Sequence, residues 1–398
     1  MRNRILIQIV LISCLLGQSS PTVITTAVSN ILTTTASSGG NITYDGGTNV
    51  IAKGVVWNTS SDPTTGSNVD STNDGTGMSS YTSSMTGLLP GTNYYVRAYA
   101  TNTVGTGYGE ELSFTTMSVP DSTLPSGSGT SADPYLIANL ANLSWFSQSS
   151  EEWDKYYQQT ADIDASSTSN WYEGAGFSPI SFTGIYDGDG YTIDGLTINR
   201  PATNGVGLFG DTNGATIRSL GIINVNIIGD AVGGLVGNNY NSTVVDCFST
   251  GSVSGGDEVG GLVGHNYNST VSNCYSSSTV SGSNSVGGLV GDNDGNNSTV
   301  SNCYSVGGTV HGGFNVGGLV GENSAASVTN SFSTCSVTST QYYPYFGGLV
   351  GHSQSGATAS NSFWDIETSN QSMSSGGTGK TTEEMKQTTM FTDAGWDF

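Results

Sequence analysis

Charge is what this chain has least of. Only 10% of its 398 residues are Asp, Glu, Lys or Arg, against about 25% in an ordinary globular domain. Basic residues are the scarcest. Nine Lys and Arg face 31 acids, for a net charge of −22, and no Lys or Arg at all lies between Arg218 and Lys380. Nucleic acid and anionic membranes are therefore excluded as partners, because both are held by clustered Lys and Arg that displace counterions. The same void argues against a lyase for acidic polysaccharide, which needs cations to hold its substrate. His-Glu-x-x-His, Gly-x-Ser-x-Gly, Cys-x-x-Cys and a phosphate loop are missing too. No cofactor is expected.

Long apolar runs are confined to the start. Arg2 and Arg4 precede an apolar stretch, Ile5 to Leu16, that is short for a membrane span and reads as an export signal over residues 1–20. Two processing routes fit. Leu11-Ile12-Ser13-Cys14 resembles a lipobox, in which Cys14 would carry lipid and provide the one membrane attachment. Leu15 and Leu16 prolong the apolar run past Cys14 and favour ordinary cleavage near Gln18 to Ser20. The expected location is extracellular or at the cell surface.

Glycine is abundant, at 57 residues. Gly, Ser, Thr and Asn with little charge suit either disorder or short strands joined by tight turns. Regularly placed Val, Leu and aromatic residues favour the strands, since a disordered chain has little apolar surface to bury. Over residues 21–117, Val50 to Trp57 and Tyr94 to Ala100 read as strands, separated by Asp45-Gly46-Gly47, Asp62-Pro63 and Leu89-Pro90-Gly91. Tyr94, Val96 and Ala98 alternate with Tyr95, Arg97 and Tyr99, the period of two that a two-faced strand requires. Leu88 through Asn102, with the closing Phe114-Thr115-Thr116, resembles the fibronectin type III family. That resemblance implies a β-sandwich serving as a spacer or binding module. The Arg-Gly-Asp tripeptide is absent. Residues 118–134 read as a linker. Asn139 is placed to cap a short amphipathic helix carrying Leu140, Leu143 and Phe146, which would cover the open end of the C-terminal region.

That region is a repeat. Gly-Gly-Leu-Val-Gly begins at Gly233, Gly260, Gly287, Gly317 and Gly347, at intervals of 27, 27, 30 and 30, with a weaker copy at Val206. Aligned copies form columns: Asn239, Asn266, Asn293 and Asn323; Asp246, Asn273, Asn302, Asn330 and Asn361; Phe248, Tyr275, Tyr304, Phe332 and Phe363; and Cys247, Cys274 and Cys303, continued by Ser331 and Ser362. Such a period is too short for a propeller blade and suits a parallel β-helix coil of two or three short strands. Leu and Val of each copy would point inward, and the flanking glycines would allow bends that side chains obstruct. The repeat resembles the GLUG motif family, specifically over 206–351 and more loosely over 135–205. Phe182-Thr183-Gly184, Asp187-Gly188, Tyr191-Thr192-Ile193 and Gly195-Leu196 look like its first coils. The family occurs in bacterial surface adhesins and beside protease domains of secreted IgA-cleaving peptidases; the resemblance implies an adhesin. From residue 363 the pattern changes. Thr381 and Glu384 make a capping box for a helix, Glu383 to about Phe391, that would close the last coil with Met385 and Phe391. The chain ends at Gly395-Trp396-Asp397-Phe398 with no recognisable sorting domain, as a fragment would.

The expected architecture is all-β: a fibronectin type III-like sandwich, then a right-handed parallel β-helix over 135–362 with short helical caps. Stacked Asn is expected to bind its own neighbours and turn backbones. Three aligned Cys cannot pair evenly and are expected as buried free thiols; Cys335 stands outside their column. Asp187, Asp189 and Asp194 surround a turn. Structural calcium is the ion such a set would take, and an ordinary Asp-Gly turn is the competing reading. His265 and His352 share one repeat position with Asn238, Asp292 and Glu322. Three coils would part the two His by roughly 14 Å, too far to share an ion, and the variable position reads as exposed surface. Thr243, Thr270 and Thr299 form one Thr column, where ice binding would want two. Tyr342, Tyr343, Tyr345 and Phe346, with Pro344 among them, read as an aromatic loop suited to stacking on a glycan or a partner. The expected function is adhesion, or binding of a glycan or extracellular protein, without catalysis. The alternatives are a polysaccharide-degrading β-helix enzyme and a passive stalk.

Overall fold

A computed structural model describes residues 17–66, 69–118, 120–341 and 345–396. Cys14, the export signal up to residue 16, Tyr342 and Tyr343 lie outside the described residues. The chain divides into two compact units, one ending at Val119 and the other starting at Pro120.

The first unit is a sandwich of antiparallel strands. One sheet holds Thr22–Ser29, Thr35–Tyr44 and Tyr81–Thr86; the other holds Asp70–Ser71, Ala52–Asn58, Asn93–Thr101, Thr106–Tyr108 and Leu112–Thr115. Alternation sends Tyr94, Val96 and Ala98 inward, the first two against Val55, Trp57, Met85 and Phe114 and Ala98 against Val23, Ile42 and Val50. Tyr99 breaks the alternation: it is buried, and its hydroxyl donates to the Thr72 carbonyl. The Tyr94 hydroxyl accepts from the Leu89 N–H five residues upstream at 3.0 Å, the corner contact known from immunoglobulin-like sandwiches.

The second unit is a parallel solenoid of about seven turns. Its ladders run in register through the repeats: Val236, Val263, Val290, Val320 and Val350 pair in succession, as do Thr243, Thr270, Thr299, Ser327 and Thr358. A coil is more finely broken than the period alone suggests. One coil contains Asp257–Gly260, Val263–Tyr267, Thr270–Ser272, Tyr275–Ser276 and Thr279–Ser281, five short strands rather than two or three. The reason is that the chain turns a corner after each of these short strands. The column Asp246, Asn273, Asn302, Asn330 and Asn361 is one such corner, with φ between 46° and 55° throughout, a left-handed conformation that Asn and Asp tolerate best.

The two leading glycines of each motif are required by close approach, not by φ. A Cβ on Gly260 would lie 1.8 Å from the Val263 carbonyl oxygen, and one on Gly261 would lie 2.2 Å from the Gly288 carbonyl of the next coil. This tight corner turns Leu262 and Val263 fully inward, and their counterparts in the other copies are equally buried. Coils of 30 residues keep the register by enlarging corners. The last takes its three extra residues between Ser336 and Phe346, compared with Thr309 to Val316 in the coil before.

Both ends are covered. Helix α1 (Leu140–Gln148) begins at Asn139, whose side chain accepts from the Asn142 N–H. It inserts Phe146 onto Tyr157, at 3.9 Å between ring centroids, and into contact with Phe182, Tyr186 and Phe209. The preceding stretch, read as a linker over 118–134, is in part paired. The Thr123 N–H donates to the Ala141 carbonyl, Ser126 bridges to Leu136, and Thr130 to Asp133, because the cap strand Tyr135–Ile137 leaves an edge to be paired. At the other end, Trp364 replaces the Ser of earlier coils beside Gly348. The expected single helix is broken into α2 (Thr382–Met385) and α3 (Thr388–Asp393). The Thr381–Glu384 capping box is present, and Phe391 is buried against Phe332 and Phe363 while Met385 is only half-buried.

Candidate functional site

The interior columns are structural. Asn239 donates its side-chain amide to Asn266 at 2.8 Å, Asn266 to Asn293 at 2.8 Å, and Asn293 to Asn323 at 2.9 Å, with all four fully buried. Thr212 closes one end of this ladder and the Thr358 carbonyl the other. Cys247, Cys274 and Cys303 are free and buried, and Cys335 is a fourth such thiol. Burial pushes the Cys247 and Cys274 thiols well up, which leaves them unreactive. Ser331 continues the column by accepting from the Cys303 N–H at 3.1 Å.

On the outside, Phe248, Tyr275, Tyr304 and Phe332 stack at 4.8 to 5.2 Å with their planes nearly parallel. Their faces cover one another, so only ring edges remain for a ligand. Tyr345 differs. It is 59% exposed, rests on the His352 ring at 4.5 Å, and is followed by Phe346 at 39% exposure. Phe314, at 47%, sits on the neighbouring strand Phe314–Gly317, paired to Phe346–Gly347. This leaves two of the four residues of the expected aromatic loop, Tyr345 and Phe346, exposed, with exposed Phe314, which no repeat column had singled out, on the adjacent strand. A separate shallow recess of about 490 Å³ runs along one corner of the coils, lined by Ile228, Ser254, Gly255, Ser281, Gly282 and His311. It offers hydroxyls, backbone and the His311 imidazole but no carboxylate, Lys or Arg.

The aspartate turn is occupied by protein groups. The Asp187 carboxylate takes Arg218 on one oxygen, at 2.7 and 2.9 Å, and the Asp189 N–H on the other. Asp189 accepts from Gln158, and Asp194 accepts from Asn224. The Asx turn and the Arg218 ion pair account for these carboxylates, so the calcium set expected of Asp187, Asp189 and Asp194 is not assembled.

The position shared by His265 and His352 is not the exposed surface expected. Asp211, Asn238, His265, Asp292, Glu322 and His352 pair along one sheet. They face a neighbouring row of corner residues, Glu258, Ser285 and Asn315, which take left-handed φ of 48° to 53°. At one end of the row, Asn238 donates to Asp211 and Asn204 at 2.8 and 2.9 Å. At the other, Glu322 accepts from Ser285, Asn315 and Gln354. Between them the pattern changes. Ligand atoms of Glu258, His265 and Asp292 lie within 4.8 Å of one another, the group of this kind found among the described residues. His265 Nδ1 is 3.8 Å from Glu258 Oε2. Four buried atoms of the row have no hydrogen-bond partner: Asn238 Oδ1, His265 Nε2, Asp292 Oδ1 and His352 Nδ1. Burial, and then the charges of Glu322, Glu258 and Asp294, push the Asp292 carboxyl up to about 8. Burial also raises Glu258, opposed by His265. The spacing from His to His gives no sign of this set, because the carboxylates come from the adjacent corner and the next coil. The available signal was a repeat position filled in successive copies by ligand-type residues.

The GLUG motif matches residues 229–254 and 255–281. Over 140 residues, 32% of this chain, the sequence is 40% identical to halomucin of Haloquadratum walsbyi, of which it covers 2%. Over 129 residues, 29% of this chain, it is 35% identical to a protein of Evansella cellulosilytica described as a Gly-rich membrane protein, of which it covers 14%. The chain thus spans a small part of the length of these relatives. Among solved structures, the fibronectin type-III domain of human fibronectin type III domain containing protein 3 aligns with 25% of this chain and 89% of that domain, at 22% identity and a TM-score of 0.18. No helix among the described residues is long and apolar enough to cross a membrane.

Proposed function

We propose that this is a cell-surface protein whose β-helix binds a neutral glycan or an extracellular protein without catalysis. The observation that carries this reading is the exposure of Tyr345 and Phe346, with Phe314 on the adjacent strand, on a solenoid whose other aromatic column is stacked shut. Exposed rings at an enlarged corner suit stacking against sugar faces or an apolar partner residue. Relatives named halomucin and a Gly-rich membrane protein support a place at the cell exterior. The absence of Lys and Arg from 219 to 379 favours a neutral ligand over an acidic one.

The test is a glycan-array and matrix-protein screen of the full chain, with the Tyr345→Ala/Phe346→Ala variant alongside. Saturable binding weakened at least tenfold in the variant is the expected result. Equal binding by both proteins moves the site elsewhere, and no binding by folded protein leaves a passive stalk. A second reading has its own observation: Glu258 and Asp292 are close carboxyls with raised proton affinity, as a glycosidase needs. Released sugar in the same wells, lost in Asp292→Asn, would establish that reading instead.

A further inference from the structure

His265 and Asp292 share one repeated position on successive coils, and Glu258 faces them from the neighbouring corner. Along that row Asn238 and Glu322 make hydrogen bonds with protein groups, although Asn238 Oδ1 and His352 Nδ1 are left without a partner. At His265 and Asp292 an imidazole nitrogen and a carboxylate oxygen are likewise enclosed without a partner, an arrangement that ordinarily costs stability and is rare in native interiors. Here alone among the described residues, three ligand-type groups come within 4.8 Å of one another. The third of them, Glu258, places Oε2 3.8 Å from the other ring nitrogen, His265 Nδ1. The geometry points to a divalent transition-metal site formed by Glu258, His265 and Asp292, with Zn²⁺ as its fitting occupant.

The chemistry of the donors decides the class of ion. Two carboxylates and one imidazole suit Zn²⁺, Co²⁺ or Ni²⁺; Ca²⁺ takes six or more oxygens and has little use for a ring nitrogen. Bonds of ~2.1 Å place tetrahedral ligands ~3.4 Å apart, so the three groups need to draw together by on the order of 1 Å. Glu258 can supply most of that movement, since its side chain has three rotatable bonds and is a third exposed. A fourth position is left for water. The ion would also neutralise carboxylates that now oppose each other.

The site has a structural consequence. Glu258 and His265 belong to consecutive strands of one coil, Asp257–Gly260 and Val263–Tyr267, while Asp292 belongs to the next coil, on Val290–Asp294. A bound ion would therefore staple two turns of the solenoid. This inference does not rest on the adhesive reading, and either can fail alone.

The experiment is Zn²⁺ titration of the chelator-stripped full chain by calorimetry, with Co²⁺ absorption reporting coordination geometry. One equivalent is expected to bind per chain and to raise the melting temperature of the solenoid. Affinity should fall at least tenfold in His265→Ala, Asp292→Asn and Glu258→Gln, and stay unchanged in His352→Ala. Glu258→Gln and Asp292→Asn keep side-chain volume, so they remain informative if His265→Ala folds poorly. No tight equivalent in the folded wild-type chain would overturn the assignment. So would binding that survives all three substitutions, or Ca²⁺ binding more tightly than Zn²⁺ in the same place.

Discussion

Asp292 shows how a stacked solenoid makes a single residue costly. Its neighbours above and below are fixed by register, so it has nowhere to turn when burial and the charges of Glu322 and Glu258 oppose its ionisation. Its folded-state pKa of about 8 stands above an unfolded value of ~4. The folded chain therefore binds the proton more tightly. The stability this provides is complete below about pH 4 and is lost as pH rises through 8. In chelator, Asp292→Asn is expected to remove that slope and to melt higher than the wild type above pH 8; thermal scans from pH 4 to 9 check both. A slope unchanged by the substitution would place its origin in other groups. The interior Asn ladder is the contrasting case. Asn266 both donates to Asn293 and accepts from Asn239, so burial there is fully compensated. The sequence made that role legible, because Asn with Asn at a fixed period has an evident partner. It did not make the Asp292 environment legible, since Glu258 lies in another column and is brought near by a corner.

At the scale of elements, every coil depends on the next for its backbone pairing, so the ends decide whether the array frays. Phe391, on α3, fills the terminal position against Phe332, Phe363 and Trp396, at 5.0 to 5.9 Å between ring centroids. Phe391→Ala is expected to cost about 3 kcal/mol, felt mainly at the last coil. Hydrogen exchange should accelerate over Val350–Ser353 and Phe363–Asp365 and stay unchanged near Val236. Uniform acceleration along the solenoid would mean that the cap holds the whole array rather than its end. The capping box and the Asn139 cap could be seen in the sequence because their hydrogen bonds are local. The break between α2 and α3, and the pairing of 123–134 onto the cap, depend on surfaces supplied from far along the chain.

For the whole molecule, the balance of charge sets what can approach. With 31 acids, nine bases and a long stretch free of cations, the β-helix repels polyanions. Polygalacturonate and heparin are expected not to bind the full chain even at low ionic strength, and any neutral ligand should bind with little salt dependence; affinity measured against salt concentration tests both. Tight, salt-sensitive polyanion binding would contradict this picture. The sequence by itself determined the fold class, the coil period, the inward Leu and Val, the Asn and Cys columns and the electrostatic sign. Each of these comes from a repeat, in which one position implies its equivalents one coil away. Only the tertiary structure decided how many strands make a coil, where the extra residues of the longer coils go, which rings are left uncovered and which ionisable groups meet. Those depend on how corners bend the chain, and a corner brings together positions that no period relates.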